Sequence, residues 1–377
     1  MGRRSEKSKA EMADQTRERK AEHLEICLEE KVNARKATTG FEDVHLIHRA
    51  LPEINRKEID LCITVFNHKF SAPIIVEAMT GGTHKSLRIN DAVAQAVEEL
   101  GLGMGVGSQR VALEDRTLEK TFTVVRERAP NAFLIANLGG AQLLRGYGLK
   151  EAKRAVEMID ADALAIHLNP LQEAIQPEGE TDHKGILAKI TEVVSNLDVP
   201  VIVKETGAGI SAEEAKRLEA AGVAGIDVAG AGGTSWAAVE YHRAKRRDDE
   251  SAQILGEMLW DWGVPTAVSL VEVVQSVNLP VIASGGVRSG KDVAKAMALG
   301  ASLTGIALPA LAPASKGSAE VKKMLRLMMR QLRNVMFLIG ADCVERLRAS
   351  PLVLTGKTAE WLRVRGFKPE IYARRGL

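Results

Sequence analysis

Residues 200–222 read PVIVKETGAGISAEEAKRLEAAG, which is a short apolar run, a loop, a serine and an alanine-rich segment that ends in glycine. Residues 280–300, PVIASGGVRSGKDVAKAMALG, repeat this order. A serine is suited to cap the start of a helix, and a glycine is suited to end one. Each stretch therefore predicts a β-strand followed by an α-helix, the unit from which parallel α/β folds are built.

The same alternation extends on both sides of these two stretches, from Ala72 onward. We count eight apolar runs of strand length, and they are Ile74–Ala78, Gly103–Val106, Phe133–Asn137, Ala163–His167, Val201–Glu205, Gly225–Val228, Val281–Ser284 and Leu303–Ile306. Helical stretches between them are Asn90–Leu100, Leu113–Arg128, Lys150–Ile159, Gly185–Leu197, Ala212–Ala221, Thr266–Val277 and Lys291–Leu299, followed by Ser318 to about Leu338. Eight strands and eight helices predict a closed TIM (β/α)8 barrel.

A doubly wound open sheet is the structural alternative, because it shows the same alternation of strands and helices. It requires a glycine-rich G-x-G-x-x-G turn after its first strand. The turn here, residues 79–83, reads MTGGT and lacks that spacing. The barrel is therefore the favoured fold.

The barrel is expected to span residues 72–340, with an N-terminal extension of residues 1–71 and a C-terminal extension of residues 341–377. In the first extension, Arg17–Val32 is periodic enough for a helix. Asp60–Val65 and Lys69–Ser71 predict a hairpin over the amino end of the barrel. The C-terminal extension is expected to contain helices and loops with a turn at Thr355-Gly356, and we assign it no chemistry.

Composition excludes several classes of function. A net charge of +2, from 51 basic and 49 acidic residues, gives no global field that would attract a nucleic acid. No apolar run approaches the roughly 18 residues of a membrane span, so we expect a cytosolic protein without a membrane partner. The three cysteines, Cys27, Cys62 and Cys343, have no paired spacing and are read as reduced thiols.

Polar residues follow nearly every predicted strand, where the active site of a barrel is built. Taken singly, each has an ordinary explanation, since an Asn forms turns and a lone His is often a satisfied core residue. Together, charged or amide groups at the ends of strands three, four and five would be costly to desolvate without a polar ligand. These groups are Asn137, His167, Asn169, Gln172, Glu173, Lys204 and Glu205.

Two glycine-rich loops predict a phosphate site. The loop Ser284-Gly285-Gly286 can bring backbone N–H groups against a phosphate, beside the start of the next helix. A second loop, residues 232–235, reads GGTS. A plain tight turn is the alternative reading, but two such loops together favour a phosphorylated cofactor.

A separate cluster, Arg19-Lys20-x-x-His23, would align its cations on one helix turn. A solvated charged face is the more common explanation of such a cluster. From the chemistry alone, that explanation is preferred. We expect Arg17–Glu30 to be mobile until substrate binds, because its charges have no evident protein partner.

The motifs resemble those of the type 2 isopentenyl diphosphate isomerases, in order and spacing, over nearly the whole chain. The string HLNPLQE at residues 167–173 is highly specific, whereas the SGG loop occurs in many flavin barrels. The matching segments are Arg19-Lys20-x-x-His23, Glu77–Gly82, Ser108–Arg110, His167–Glu173, Gly232–Trp236 and Ser284–Arg288.

This resemblance implies an enzyme that uses FMN and Mg²⁺, with NAD(P)H needed to reduce the flavin, in a homotetramer or homo-octamer. It implies that Gln172 lies over the reacting carbons and that Glu173 holds Mg²⁺ against the diphosphate. The implied substrate-binding residues are Arg19, Lys20, His23, Ser108, Gln109, Arg110, Asn169 and Gln172. The implied FMN-binding residues are Ala78, Met79, Thr80, Ser108, Asn137, Lys204, Thr234, Gly286, Val287, Arg288, Ala307 and Leu308.

Two other functions fit the sequence less well. A flavin oxidase of 2-hydroxy acids shares the barrel and the SGG loop, but it needs a His-Arg pair for a carboxylate, and residues 234–236 are TSW. An RNA-binding protein would leave the strand-end residues unexplained and has few aromatics for stacking. Whether flavin N5, Gln172 or water carries the proton is open at this point.

Overall fold

Eight parallel strands close into one barrel in this computed structural model, which describes the backbone of residues 2–376 and the side chains of residues 16–376. Numbered along the chain, the strands β1–β12 are Val44–Leu46, Ile63–Val65, His68–Phe70, Ile74–Val76, Gly103–Gly105, Phe133–Gly139, Ala163–His167, Val201–Lys204, Gly225–Asp227, Val281–Ala283, Leu303–Ile306 and Leu352–Leu354. Each barrel strand from β4 to β11 pairs with the next, and β11 closes onto β4. The predicted TIM barrel and its eight strands are confirmed.

The helices account for most of the outer layer. In chain order, α1–α18 are Gly2–Glu29, His84–Leu100, Arg110–Glu114, Lys120–Arg128, Gly140–Leu143, Leu149–Ile159, Pro170–Ile175, Ile186–Val194, Ala212–Ala220, Trp236–Arg246, Glu250–Met258, Thr266–Val274, Gly290–Leu299, Leu308–Lys316, Ser318–Ile339, Val344–Ala349, Gly356–Val364 and Glu370–Ala373. Within residues 2–376, no helix combines the length and apolarity needed to cross a membrane.

Two helical predictions need correction. The stretch predicted as one helix, Leu113–Arg128, is two helices, because the Asp115 side chain accepts the Thr117 backbone N–H at 2.9 Å and starts a separate turn. Helices α10 and α11, which follow β9, were not predicted. They lie in the long connection between β9 and β10, ahead of the predicted Thr266–Val277 helix.

The predicted hairpin is present, formed by β2 and β3, and it covers the amino end of the barrel. Phe66 in its turn stacks on Phe133 of β6, with ring centroids 5.8 Å apart. Phe70 meets the same ring edge-on at 5.4 Å. The lower end of the barrel is thereby sealed with aromatic rings, and the polar ligand site is confined to the opposite end.

The two extensions meet each other in a small sheet that was not predicted. Strand β1 pairs antiparallel with β12, and Val44 lies opposite Leu354. Periodicity within one segment carries no information on a partner about 300 residues away, so only the tertiary structure reveals this pairing.

Candidate active site

A pocket opens at the carboxyl ends of the barrel strands and encloses about 1610 Å³, open solvent at its mouth included. Residues of the N-terminal extension and of the barrel line it. Of the site residues named from the sequence, the pocket is lined by Arg19, Lys20, His23, Ala78, Met79, Thr80, Ser108, Arg110, Asn137, Asn169, Gln172, Glu173, Lys204, Thr234, Gly286, Val287, Arg288, Ala307 and Leu308.

Gln109 is the exception among the named residues. Its side chain is fully buried, and its Nε2 donates to the Ala155 carbonyl at 2.8 Å. Its Oε1 accepts the backbone N–H of Asn137 at 2.9 Å. The structure thus places Gln109 behind the pocket wall, where it holds Asn137 in position, and the expected contact with substrate is not supported.

The two glycine loops pack backbone against backbone. Gly285 and Gly286 have φ values of 94° and 72°, a region that favours glycine. A Cβ on Gly285 would clash with Gly230, and one on Gly233 would clash with the backbone of Gly286. The side-chain-free surface exposes backbone groups to the pocket.

The N-terminus of α13 begins beside this surface. Ser289 caps it by accepting the Asp292 backbone N–H at 3.3 Å. Arg288 adds a cation whose pKa burial lowers, so an anion placed against it would be favoured. Glycine amides, a helix N-terminus and an arginine together fit the phosphate of FMN.

A buried ionic cluster forms the pocket floor at the ends of β4, β8 and β9. The Lys204 Nζ atom lies 3.7 Å from Glu77 Oε2 and 3.5 Å from Asp227 Oδ2. Burial alone would lower the pKa of Lys204, but Asp227 and Glu77 outweigh burial and raise it. The lysine is therefore an ammonium, placed to face a polar group of a bound cofactor.

His167 is held as a neutral ring beside that floor. Its Nδ1 lies 2.7 Å from Asn137 Oδ1 and donates to it. Burial, together with the nearby Lys204, lowers the pKa of His167 to about 3. It can hydrogen bond, but it cannot act as a cationic anchor for a carboxylate.

The segment after β7 forms a network of amides and one carboxylate. Asn169 Nδ2 donates to Gln172 Oε1 at 3.1 Å and to Glu173 Oε1 at 2.9 Å. Gln176 Nε2 donates to Glu173 Oε2 at 2.6 Å. Gln172 and Glu173 are thereby fixed with their polar groups at the pocket wall.

A metal here would have to be held largely by the substrate. Among the described residues, no group of three or more His, Cys, Asp or Glu side chains is placed to hold a metal ion. Glu173 offers hard carboxylate oxygens at the wall, and Mg²⁺ commonly takes one or two carboxylates and completes its shell with phosphate oxygens and water. The donor set fits Mg²⁺ bound together with a diphosphate.

Glu240 of α10 joins three parts of the site and was not singled out from the sequence. Its Oε1 accepts from His23 Nε2 at 2.8 Å and from Gln172 Nε2 at 3.2 Å. Its Oε2 accepts from Arg243 at 3.3 Å. Burial would raise the pKa of Glu240, but His23 and Arg243 lower it to about 2. An i,i+3 Glu-Arg pair is common on charged helices, so no signal in the sequence distinguishes Glu240.

Helix α1 carries the basic cluster over the pocket mouth. Lys20 Nζ donates to the Ser108 carbonyl at 2.5 Å and to the Gly81 carbonyl at 3.3 Å. Burial and the nearby Arg19 lower the pKa of Lys20 to about 7. The cluster Arg19-Lys20-x-x-His23 therefore belongs to the site, and the solvated face preferred from the chemistry alone is wrong.

The acidic residues of α1 also have partners, contrary to the sequence-based expectation. Glu22 accepts from Arg243 at 2.8 Å and from Arg247 at 2.9 Å. Glu25 accepts from Lys85 at 2.8 Å. The exposed Glu25–Lys85 pair is worth about 1 kcal/mol or less, but Glu22 pairs with the buried Arg243, so the helix can open only against specific contacts.

Comparisons with known proteins agree on a flavin barrel. The family model described as FMN-dependent dehydrogenase matches residues 149–354. The isopentenyl-diphosphate delta-isomerase of Methanothermobacter thermautotrophicus is 52% identical over 358 residues, which cover 95% of this chain and 99% of the relative. The protein of that name from Pyrococcus furiosus is 52% identical over 355 residues, which cover 92% of this chain and 89% of the relative.

Solved structures support the fold. A mandelate oxidase variant with a C4a-OH-FMN adduct superposes with a TM-score of 0.59 at 20% identity, over 89% of this chain and 95% of that one. A mandelate oxidase with benzoyl-formic acid gives a TM-score of 0.58 at 20% identity, over 91% and 98% of the two chains. At this identity the likeness extends to the barrel architecture alone.

Proposed function

Because this chain belongs to the isopentenyl-diphosphate delta-isomerase family and contains an FMN-dependent dehydrogenase domain, we propose that it interconverts isopentenyl and dimethylallyl diphosphate with Mg²⁺ and reduced FMN. One observation carries this proposal. The cationic cluster of α1 and the amide of Gln172 line the same pocket as the glycine cradle. A diphosphate, a reacting alkene and a flavin can therefore be accommodated side by side.

The diphosphate is bound by the cations at the pocket mouth. It carries about three negative charges, and Arg19, Lys20 and Arg110 offer matching charge-assisted hydrogen bonds. Ser108, His23 and Asn169 stand beside them. Glu173 holds Mg²⁺, which neutralises the charge that the cations leave uncompensated.

The glycine loop at Gly285-Gly286 and Arg288 would hold the phosphate of FMN, and Lys204 at the pocket floor would face its ring. Contacts are proposed with Ala78, Met79, Thr80, Ser108, Asn137, Lys204, Thr234, Gly286, Val287, Arg288, Ala307 and Leu308. When reduced by NAD(P)H and bound, FMN supplies an electron-rich ring face and an exchangeable proton at N5.

Gln172 orients the proton transfer at the alkene. Its Nε2 is engaged by Glu240 and its Oε1 by Asn169, so the amide presents one fixed orientation to the pocket. Isomerisation adds a proton at one carbon of the substrate and removes one from another, with no net redox change. The tertiary cation between the two steps needs a site closed to water, and α1 over the mouth supplies that closure.

The second candidate, oxidation of a 2-hydroxy acid, has less support. It calls for a cationic His-Arg pair, whereas the position after β9 is occupied by Thr234, Ser235 and Trp236. His167 is neutral and committed to Asn137. The fold shared with mandelate oxidases is compatible with both chemistries.

The deciding experiment is anaerobic incubation of the FMN-loaded enzyme with isopentenyl diphosphate, Mg²⁺ and NADPH. We expect dimethylallyl diphosphate to form in many turnovers per NADPH and to vanish when reductant is withheld. A protein that cannot be loaded with FMN, or that turns over fully without reductant, would refute the proposal. Normal turnover with a 5-deazaflavin analogue, whose ring carbon replaces N5, would refute the role of N5.

We also propose a cytosolic homotetramer or homo-octamer. Helix α11 and the loop after it expose large apolar side chains, with Met258 at 67% and Trp262 at 64% exposure. Such a patch is typical of a surface that another subunit covers. Light scattering of the purified protein that gives a monomer mass would contradict this assembly.

A further inference from the structure

The floor of the pocket contains more negative groups than its lysine balances. The Lys204 cluster consists of Glu77, Lys204 and Asp227, which are 7%, 9% and 1% exposed. With every group ionised, the cluster would bear a net charge of −1 out of contact with water. A buried uncompensated charge is costly, and a carboxyl group commonly takes up a proton instead.

Two carboxylate oxygens of this cluster lack a hydrogen-bond donor among residues 16–376. They are Glu77 Oε1 and Asp227 Oδ2, and both are buried. Ser284 Oγ donates to Asp227 Oδ1 at 2.6 Å, and Lys204 Nζ donates to the Glu205 carbonyl at 2.8 Å but lies farther from the two carboxylates, 3.5 Å from Asp227 Oδ2 and 3.7 Å from Glu77 Oε2. A buried oxygen without a donor is costly, so one further hydrogen between the two carboxyl groups would stabilise the cluster.

A glycine in the neighbouring strand β11 leaves room for the buried Glu77 carboxyl group. Gly305 of β11 faces Glu77, and a Cβ there would clash with Glu77 Oε1 and lie 2.7 Å from Ser284 Cβ. A side chain at this position would therefore displace the Glu77 carboxyl. The absence of a side chain at Gly305 leaves the space that the buried Glu77 carboxyl group occupies.

We propose that Glu77 and Asp227 share one proton beside the Lys204 ammonium, so that the floor of the FMN pocket is a neutral unit. A hydrogen on one carboxyl group would satisfy both oxygens that now lack a donor. The two carboxyl groups lie around the same ammonium, with Lys204 Nζ 3.7 Å from Glu77 Oε2 and 3.5 Å from Asp227 Oδ2. The unit is then made of one ammonium, one carboxylate and one carboxylic acid.

The electrostatics agree with this assignment. Burial, and then the negative charge of Asp227, raise the pKa of Glu77 to about 8 against the opposing effect of Lys204. Lys204 is also influenced by Glu205. His167, the other titratable neighbour of Lys204, is uncharged above a pH of about 3 and contributes no further charge. Glu77 therefore holds the proton at neutral pH.

A neutral floor matters for the cofactor, and this consequence rests on the proposed position of FMN against Lys204. A reduced flavin ring can bear a negative charge, and an ionised Glu77 would repel it. Loss of the shared proton should therefore weaken the preference of the enzyme for reduced FMN. Around neutral pH the shared proton removes that repulsion.

Infrared spectroscopy of the full chain tests the shared proton directly, both without FMN and with it. We expect the carbonyl band of a buried carboxylic acid at pH 7, its loss in Glu77→Gln and its retention in Glu272→Gln, a buried carboxylate paired with Arg365. Since burial also raises the pKa of Glu205 to about 7, Glu205→Gln is the necessary comparison. A band that disappears with Glu205→Gln and survives Glu77→Gln would overturn the proposal, as would the absence of any such band.

Asp227→Asn provides a second readout if Glu77→Gln does not fold. Asp227→Asn removes the charge that raises the pKa of Glu77, so an ionised Glu77 would balance the Lys204 ammonium and we expect the band to be lost at pH 7. An unchanged band would overturn the shared proton. Because the FMN-free protein gives these signals, a failure to bind FMN would refute the proposed function and leave this test intact.

The reduction potential of bound FMN tests the consequence. Glutamine imitates the protonated acid, so wild type and Glu77→Gln should agree at pH 6. At pH 9 the wild type should prefer reduced FMN about tenfold less than the variant does, which is about 30 mV for a two-electron couple. Equal potentials at both pH values, or a difference already present at pH 6, would contradict the proposal.

Discussion

His23 of the N-terminal helix and Glu240 of α10 form a hydrogen-bonded pair, with His23 Nε2 2.8 Å from Glu240 Oε1. The same oxygen accepts from Gln172 Nε2 at 3.2 Å. One buried carboxylate thus contacts both the helix that covers the pocket and the amide assigned to the reacting carbons. Closure of the helix and orientation of the amide are expected to be coupled through it.

The first prediction concerns Glu240→Gln. This change removes the charge that pairs with His23 and Arg243, so we expect kcat to fall by about tenfold or more and KM to rise, since loss of a partner in a buried charged hydrogen bond costs about 2–5 kcal/mol. Cleavage of α1 by a protease should become faster and less sensitive to substrate and Mg²⁺. Glu250→Gln, on the exposed start of α11, is the control and should behave as wild type.

The second prediction is a pH dependence from Lys20. The pKa of Lys20 is lowered to about 7 by burial and by Arg19, so the free enzyme carries the ammonium below that pH and loses it above. Because the proposed binding of the diphosphate uses this ammonium, kcat/KM should fall as pH rises through about 7. Lys20→Met should have a low kcat/KM without this fall, and a fall that persists in the variant would assign it to another group.

The third prediction tests the phosphate cradle. Gly286→Ala places a methyl group against Thr39 at a φ of 72°, which should move the loop and weaken FMN binding by about tenfold or more, the equivalent of about 1.4 kcal/mol. The quenching of FMN fluorescence on binding measures the affinity of each variant for FMN. Gly146→Ala is the matched control, since Gly146 has a φ of 88° and open space around its Cβ position. Equal losses in the two variants would point to strain alone.

The fourth prediction concerns the metal. Glu173→Gln removes the carboxylate charge and keeps one acceptor oxygen for the donors that now meet the two carboxylate oxygens. We expect the Mg²⁺ concentration for half-maximal activity to rise by about tenfold or more, since Mg²⁺ prefers carboxylate oxygen. FMN affinity should be unchanged. An unaltered Mg²⁺ dependence would exclude Glu173 as the ligand.

The fifth prediction follows from the position of Gln109. Gln109→Leu leaves the buried Asn137 N–H without its acceptor and removes the additional donor to the Ala155 carbonyl, a change that should lower the free energy of unfolding by about 2 kcal/mol. Chemical denaturation measures this loss. KM for isopentenyl diphosphate should change little, and a large rise in KM with unchanged stability would restore the contact with substrate expected from the sequence.

Local patterns in the sequence were sufficient for the barrel and for most of the pocket wall. A strand buried on both faces and a helix with one apolar stripe are properties of neighbouring residues, so the eight strands could be read directly. In a parallel barrel the carboxyl ends of the strands converge on one mouth. The sequence therefore predicts Asn137, Lys204 and Arg288 in one site. The specific string at residues 167–173 then indicated the substrate.

The contribution of α10 required the folded chain. Glu240 appears in the sequence as one charge in a charged helix, and its significance comes from His23 and Gln172, which lie 217 and 68 residues away. The sequence also does not show which way the Gln109 side chain points, because a residue next to a strand end can face either the pocket or the wall behind it.

The sequence by itself determined which residues form strands, which loops lack side chains and where cations are concentrated, because these properties depend on near neighbours. Only the tertiary structure decided how charge is balanced, because pairing depends on distance and burial. It placed Lys20 over the pocket, joined His23 to Glu240 and set Glu77 and Asp227 around a single lysine. Electrostatic energy depends on the distance between two charges in space. That distance cannot be read from the number of residues between them.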